Sequence, residues 1–198
     1  SKYTTKIIQL IESNQLKIVP ETRRNEILSL LKGGLEDVSF SRPREKLKWG
    51  IPVPGDETQT IYVWADALTN YISALSYDSN SEEFKKYWPA DVQVIGKDIL
   101  RFHGAIWPAM LLSAGLPLPK TLFVHGFVTS GSTKMSKTVG NVIDPFVMIE
   151  KYGPEAVRYY LLREIPPSED GDLTIEKFEN RYQADLANGL GNLSSRIL

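Results

Sequence analysis

The spacing of apolar positions changes character twice along the chain. Over residues 4–32 it is helical: Thr4, Ile7, Ile8 and Ile11 mark one helix. A second helix is expected to open near Pro20-Glu21 and to stop at Gly33-Gly34, with proline at the start and glycine at the end. Residues 41–56 then read as a connector, with three prolines and two glycines. Beyond it the pattern shortens. Apolar runs at 60–64, 92–95 and 121–124 recur at intervals of about 30 residues, with helical stretches between them. That spacing predicts βαβ units and a parallel sheet, because a parallel crossover needs a helix-length return. From Asp144 onward no strand signal is present, and helices are expected over 144–151, 154–163 and 174–198. In the last of these Ile175, Phe178, Tyr182, Leu186, Leu193 and Ile197 form a stripe that needs a partner bundle. The chain contains no internal repeat and no low-complexity segment.

Composition narrows the picture only at a few points. With 198 residues, 42% of them hydrophobic, the chain can bury one sizeable core or two small ones. There is no cysteine, and the only histidines, His103 and His125, lie far apart, so no metal-ligand cluster is expected and no zinc ligand set is present. Lys2, Lys6 and Glu12 interrupt the first apolar run, which argues against a cleavable signal. Residues 102–119 carry no formal charge, but Pro108, Pro117, Pro119, Gly104 and Gly115 break the run. It barely reaches the roughly 18 residues a membrane span requires, so a buried helix and turn are expected there and no membrane partner. The net charge of −1 argues against indiscriminate nucleic-acid binding, whose affinity comes mostly from phosphate neutralisation.

The charges are unevenly placed. Between Asp98 and Asp144 there is no acidic residue, while Arg101, Lys120, Lys134 and Lys137 are basic. Within that region Lys134-Met135-Ser136-Lys137-Thr138 follows a Gly131-Ser132-Thr133 loop. Two lysines three apart on a loop, preceded by small residues, suit a polyphosphate, which asks for mobile point charges and backbone donors. A basic surface loop would look the same, and only the flanking residues discriminate. Gly96-Lys97-Asp98 stands at the end of the second predicted strand, ahead of a helix expected over 98–112. Asp98 is a good helix cap. A strand end leading into a helix is also where parallel α/β sheets bind nucleotides, and a carboxylate there can accept from ribose hydroxyls. Within the helix Ile99, His103 and Trp107 are four apart and fall on one face, which fits a core stripe with one satisfied histidine as well as a pocket wall.

Residues 134–138 resemble the KMSKS signature of class I aminoacyl-tRNA synthetases, with Thr138 replacing the final serine. The blocks 64–71, 96–103 and 125–129 are similar to the methionyl-specific forms of that architecture, and all the blocks occur in the family's order. The resemblance implies an α/β chain: the second half of a class I Rossmann-type nucleotide-binding fold with parallel strands, then a helical region opening an anticodon-binding bundle. Its implied divisions are 1–50, the helical end of the connective insertion; 51–130, the second half of the catalytic domain; 131–172, the lysine-loop and stem-contact region; and 173–198, the first anticodon-domain helix.

The activity so implied is a methionine–tRNA ligase that makes methionyl-adenylate from L-methionine and ATP and transfers methionine to tRNA. ATP arrives as substrate with Mg²⁺; the partners are L-methionine, ATP and a methionine-accepting tRNA; the location is cytoplasmic or the mitochondrial matrix. The implied ATP contacts are Gly96, Asp98, Phe127, Val128, Lys134, Ser136 and Lys137, with Lys134 and Lys137 catalytic and the backbone at Phe127 and Val128 reading adenine. Trp64, Ala67, Tyr71, Ile99, His103 and Trp107 would line the methionine side chain, whose polarizable thioether packs well on aromatic rings. Leu68 stands where the family often has proline. The two separated histidines cannot form the family's His-Ile-Gly-His type motif. The amino-terminal half of the catalytic domain is therefore expected to be missing and the chain alone to be inactive. Two rival readings stand beside this one: a non-catalytic half-module working with a separate amino-terminal part, and a class I synthetase for leucine, valine, isoleucine or cysteine.

Overall fold

The computed structural model describes residues 2–47, 49–79 and 81–198. They fall into two compact units, Ser1–Val124 and His125–Leu198.

The first unit opens with α1 (Thr4–Glu12), which buries Ile7, Leu10 and Ile11. The strand β1 (Lys17–Val19) follows, then α2 (Glu21–Lys32), which buries Ile27, Leu28 and Leu31. Gly34, at φ +88°, takes the left-handed turn after α2 that an L side chain resists. Next come β2 (Ser41–Pro43), β3 (Pro52–Val53), β4 (Asp56–Ile61), α3 (Val63–Ser73) and α4 (Glu82–Tyr87). The strand β5 (Val92–Gly96), the helix α5 (Trp107–Ser113) and β6 (Thr121–His125) complete the run.

The parallel sheet has the order β1-β6-β5, with β1 registered on β6 from Lys17↔Thr121 to Val19↔Phe123. The runs at 92–95 and 121–124 thus become its strands, as their spacing predicts. Its third member is β1 rather than the run at 60–64. Three residues between two helices are too few to show a period, so β1 leaves no signal in the sequence. Residues 60 and 61 end β4 instead, the centre of a separate antiparallel sheet ordered β2-β4-β3, and Val63 begins α3. Strands also occupy parts of the 41–56 connector, where prolines sit at strand edges.

Leu122 and Val124 are fully buried in β6, with Ile11, Leu16, Ile18, Ile27, Leu31 and Ile95 in the same cluster. Each such side chain contributes about 1.5–3 kcal/mol of burial. A second cluster gathers Leu68, Ile72, Trp88, Trp107 and Leu111. Trp88 closes it by donating its indole N–H to the Pro117 carbonyl at 3.0 Å.

The predicted 98–112 helix is not continuous. A 3₁₀ turn over Lys97–Ile99 leads into a π-helical turn over Phe102–Ile106, and only then into α5. Pro108 supplies the reason: it has no N–H to bond back, and its ring collides with the carbonyl four residues earlier in a regular helix. That earlier residue is Gly104, where an added Cβ would meet Ile27 at 2.8 Å.

The second unit contains β7 (Val128–Ser130), β8 (Thr133–Lys134), α6 (Pro145–Tyr152), α7 (Pro154–Glu164), β9 (Gly171–Asp172) and α8 (Ile175–Arg181). After α8 a π-helical stretch (Tyr182–Gly191) leads to α9 (Asn192–Ile197). Asp144 and Thr174 cap α6 and α8 through side chains that accept from Phe146 and Lys177 backbone N–H groups. Contrary to the strand-free expectation after Asp144, β9 pairs in parallel with β7, Val128↔Gly171 and Thr129↔Asp172. Two residues, one of them glycine, carry no strand signature. The core is Met148, Ala156, Val157, Tyr160 and Phe178. Of the predicted stripe, Phe178 is buried and Tyr182 and Leu186 pack on it, while Leu193 and Ile197 are exposed.

Candidate active site

In the first unit the aromatic residues of α3 meet those of the π turn and α5. Trp64 stacks on Phe102 at 4.0 Å between centroids and meets the His103 ring edge-on at 6.4 Å. Tyr71 lies 5.6 Å from the His103 ring and 5.9 Å from that of Trp107. Tyr71 falls two turns after Trp64 on α3, so one helix face presents both. His103 is held at both nitrogens: Nδ1 lies 3.0 Å from the Ile99 carbonyl and Nε2 lies 2.9 Å from the Tyr71 hydroxyl. A carbonyl can only accept, so Nδ1 carries the hydrogen and Nε2 accepts from the tyrosine. Burial pushes the His103 pKa below the ordinary histidine value, against a smaller upward pull from the Ile99 carbonyl. Burial likewise raises the Tyr71 phenol. The result is a neutral, oriented pair beside three other rings.

Trp64, Tyr71, His103 and Trp107 are therefore brought together. Ile99 is not: it packs against the sheet-side cluster, and only its carbonyl reaches His103. The broken helix accounts for this, since four-residue spacing no longer fixes one face across a π turn. Ala67 is exposed, and Leu68, its neighbour, is fully buried. Trp107 is 1% exposed and its Nε1 has no hydrogen-bond partner among the described residues. Gly96 ends β5, and Asp98 sits exposed in the turn that follows. The cap position of that turn is Gly96, with no side-chain capping bond, so helix capping does not account for Asp98.

The lysine turn belongs to the second unit. The β7–β8 hairpin pairs Thr129 with Lys134 and Ser130 with Thr133, which places Gly131 and Ser132 in a two-residue turn at φ +60° and +61°. Positive φ at both positions is the geometry that matches strand twist in tight hairpins. Lys134 ends β8, with Nζ 4.4 Å from the centre of the Phe127 ring. Beyond it the chain closes on itself. Asn141 accepts from the Ser136 N–H at 2.9 Å and donates to the Lys134 carbonyl at 3.3 Å. The Ser136 hydroxyl accepts from Thr138 N–H, and the Ser136 carbonyl accepts from Val139 and Gly140 N–H. Lys137 is exposed at the apex of this knot. Among the described residues neither Lys134 nor Lys137 is paired with a carboxylate.

Phe127 and Val128 lie where β7 begins. Phe127 donates its N–H to Asp170 at 2.9 Å, and its carbonyl accepts from Gly171 N–H at 2.9 Å. Val128 is 38% exposed. A Cβ on the preceding Gly126 would lie 2.1 Å from the Glu169 carbonyl oxygen, so only glycine fits that crossing.

Two residues that sequence reasoning passed over organise this unit. Asn141 ties the lysine turn, and its position after Gly140 is a turn signature that was available. Asp172 accepts from Ser132, Thr129 and Lys177, and nothing local in the sequence foretells it. Among the described residues no group of three potential metal-ligating side chains occurs, and no helix is long and apolar enough to cross a membrane.

The first unit carries a parallel sheet whose strand β5 ends at Gly96, and the second a lysine turn with no carboxylate partner among the described residues; these are the parts of a class I synthetase chain. The whole chain, residues 1–198, matches the family model described as tRNA synthetases class I (M), and the chain belongs to that family. It is 54% identical to the methionine–tRNA ligase of Brucella suis over all of its length, and 52% identical to that of Mesorhizobium japonicum. It spans 38% of each of those proteins. The crystal structure of Mycobacterium tuberculosis methionyl-tRNA synthetase bound by methionyl-adenylate superposes with a TM-score of 0.91 at 49% identity, over 99% of this chain and 38% of that one.

Proposed function

We propose that this chain is part of the catalytic core of a methionine–tRNA ligase, the enzyme that joins L-methionine to AMP and then to tRNA. The observation that carries the reading is the lysine turn: two cations held by a self-closing loop with no carboxylate paired to them among the described residues. In the activation step a methionine carboxylate oxygen bonds to the α-phosphorus of ATP, and the bond to the bridging oxygen breaks. Pyrophosphate leaves with the electron pair. Negative charge grows on the departing group, and Lys134 and Lys137 stabilise it there. No general base is needed, because the carboxylate is already ionised. Magnesium comes with the polyphosphate of ATP.

Asp98 and Gly96 serve the ribose, with Ser136 contributing to the phosphates. The edge of Phe127 and Val128 faces adenine, through whatever that strand end leaves after Phe127's own bonds to Asp170 and Gly171. Trp64, Tyr71, His103 and Trp107 form the wall for the methionine side chain, with Ala67 exposed at its margin and Ile99 contributing only the carbonyl that holds His103. What supports methionine over other amino acids is this ring cluster around a neutral imidazole, a polarizable surface that suits a thioether better than a branched aliphatic chain. Residues 1–50, 51–130, 131–172 and 173–198 then serve as end of the insertion, catalytic half-domain, lysine region and start of the anticodon-binding bundle.

The test is amino-acid-dependent exchange of pyrophosphate into ATP by the full-length protein. Exchange is expected with methionine and at most at trace level with leucine, isoleucine, valine or cysteine. Preferential exchange with any of those four overturns the assignment.

A further inference from the structure

The carboxylate of Asp172 joins three pieces of the second unit. Its Oδ1 accepts from the Ser132 backbone N–H at 2.7 Å and from the Thr129 hydroxyl at 3.0 Å. Its Oδ2 accepts from Lys177 Nζ at 2.6 Å. Thr129 is on β7, Ser132 is in the turn of the hairpin, and Lys177 is in the first turn of α8. The backbone runs the same way: Leu173 N–H donates to the Thr129 carbonyl at 2.9 Å, continuing the β7–β9 pairing. Ser132 is a non-glycine residue at φ +61°, a conformation that persists only where surrounding contacts determine it. The Asp172 oxygen, engaging the N–H of that residue, is one such contact beside the hairpin pairing itself. The side chain of Asp172 is only 19% exposed, so its bonds are not traded freely for water.

Two residues past Ser132 the chain reaches Lys134 at the end of β8, and the knot around Asn141 begins. A hairpin whose turn is anchored delivers Lys134 in one register, and the lysine turn starts from a fixed point. We propose that Asp172 is a positioning residue for the polyphosphate-binding lysines: it touches no substrate, and holds the hairpin tip from which the lysine turn springs. Lys177 has a separate part. It neutralises a carboxylate that would otherwise repel a polyphosphate bound by the same unit. The proposal rests on the reading of the lysine turn as the phosphate site.

The experiment compares Asp172→Asn, Asp172→Glu and Asp172→Ala in the full-length enzyme, measured as methionine-dependent pyrophosphate exchange per active site. Asparagine keeps an oxygen acceptor in place but loses the charge. Glutamate keeps the charge and moves the acceptor by one methylene. Positioning predicts that Asp172→Asn stays within about threefold of the parent in kcat, while Asp172→Glu and Asp172→Ala fall by about tenfold or more, as for loss of a transition-state contact. KM for ATP should rise and KM for methionine should hold. A merely structural residue would lower the fraction of active sites and leave kcat per site and both KM values unchanged, and that result overturns the proposal. So does a glutamate variant equal to the parent beside an asparagine variant as poor as alanine, which would make charge the operative property. If Asp172→Ala does not fold, the asparagine–glutamate order decides alone. Lys137→Ala is run in parallel. If it keeps the parental rate, the phosphate reading itself has failed; if it slows while the Asp172 variants do not, only the positioning role has.

Discussion

At the scale of single residues, the proposed roles of Lys137 and His103 lead to the sharpest tests. Lys137 is exposed at the apex of a turn that its neighbours hold together without it. Lys137→Ala in the full-length enzyme should therefore leave the melting temperature unchanged and cut the activation rate by on the order of a hundredfold, with methionine affinity nearly constant. Single-turnover adenylate formation measures the rate, and equilibrium titration the affinity. Collapse of methionine binding with the rate preserved would assign Lys137 elsewhere.

His103 is buried, neutral and hydrogen-bonded at both nitrogens. Its folded-state pKa lies below the unfolded value of 6.5, so as pH falls through 6.5 the unfolded chain takes up a proton that the folded chain refuses. Its contribution to stability is complete above that pH and declines below it. The parent should lose more thermal stability between pH 7.5 and pH 5 than His103→Asn does, by calorimetry on both. The same variant separates pocket from core: altered preference among methionine analogues supports the pocket wall. A stability loss of roughly 1–3 kcal/mol with unchanged preference marks an ordinary buried residue.

At the scale of elements, the lysine turn and the hairpin are held by side chains rather than by strand length. The strand β8 has two residues, and the turn after it is closed by Asn141. Asn141→Ala removes an acceptor for Ser136 N–H and a donor to Lys134, so the turn should sample open forms. A several-fold rise in KM for ATP with little change in KM for methionine is expected from steady-state exchange kinetics. An effect confined to KM for methionine would refute it. The pKa of Asp172 is pulled down to about 2, first by the Lys177 ammonium, then by the Ser132 N–H and the Thr129 hydroxyl. Its stabilising effect is present above its ordinary value of 3.8 and is lost as pH falls from there to about 2. Acid titration of the Ser132 amide resonance, compared with Asp172→Asn, should place the loosening of the hairpin in that window.

At the scale of the whole molecule, the chain holds a three-stranded parallel sheet and a lysine turn, and it spans 38% of the Brucella suis relative. The strand β5 ends its sheet with Val92 and Val94 exposed, an unusual state for a parallel strand, which is normally covered on both faces. The 198 residues by themselves should show no methionine-dependent pyrophosphate exchange. Robust exchange by the purified chain, free of host enzyme, would contradict this.

What the amino-acid sequence determined by itself is the set of features that depend on near neighbours. Helical spacing at Ile7 and Ile11, and the stop at Gly33-Gly34, set out α1 and α2. Apolar runs a helix apart marked β5 and β6, and the lysines of residues 134–138 stood out against a stretch without acid. Tertiary structure decided the rest, for reasons of range and length. The short strands β1 and β9 exist only because β6 and β7 present edges to them, and no period fits in two or three residues. Residues 60 and 61 joined an antiparallel sheet because Pro52 pairs with Thr60 across a short hairpin, while Ser41 and Arg42, much further back along the chain, pair on the other edge. Ile99 parted from His103 and Trp107 because Pro108 broke the helix that would have aligned them. Asp172 reaches the hairpin across 40 residues, a contact made by folding alone, and no local pattern encodes it.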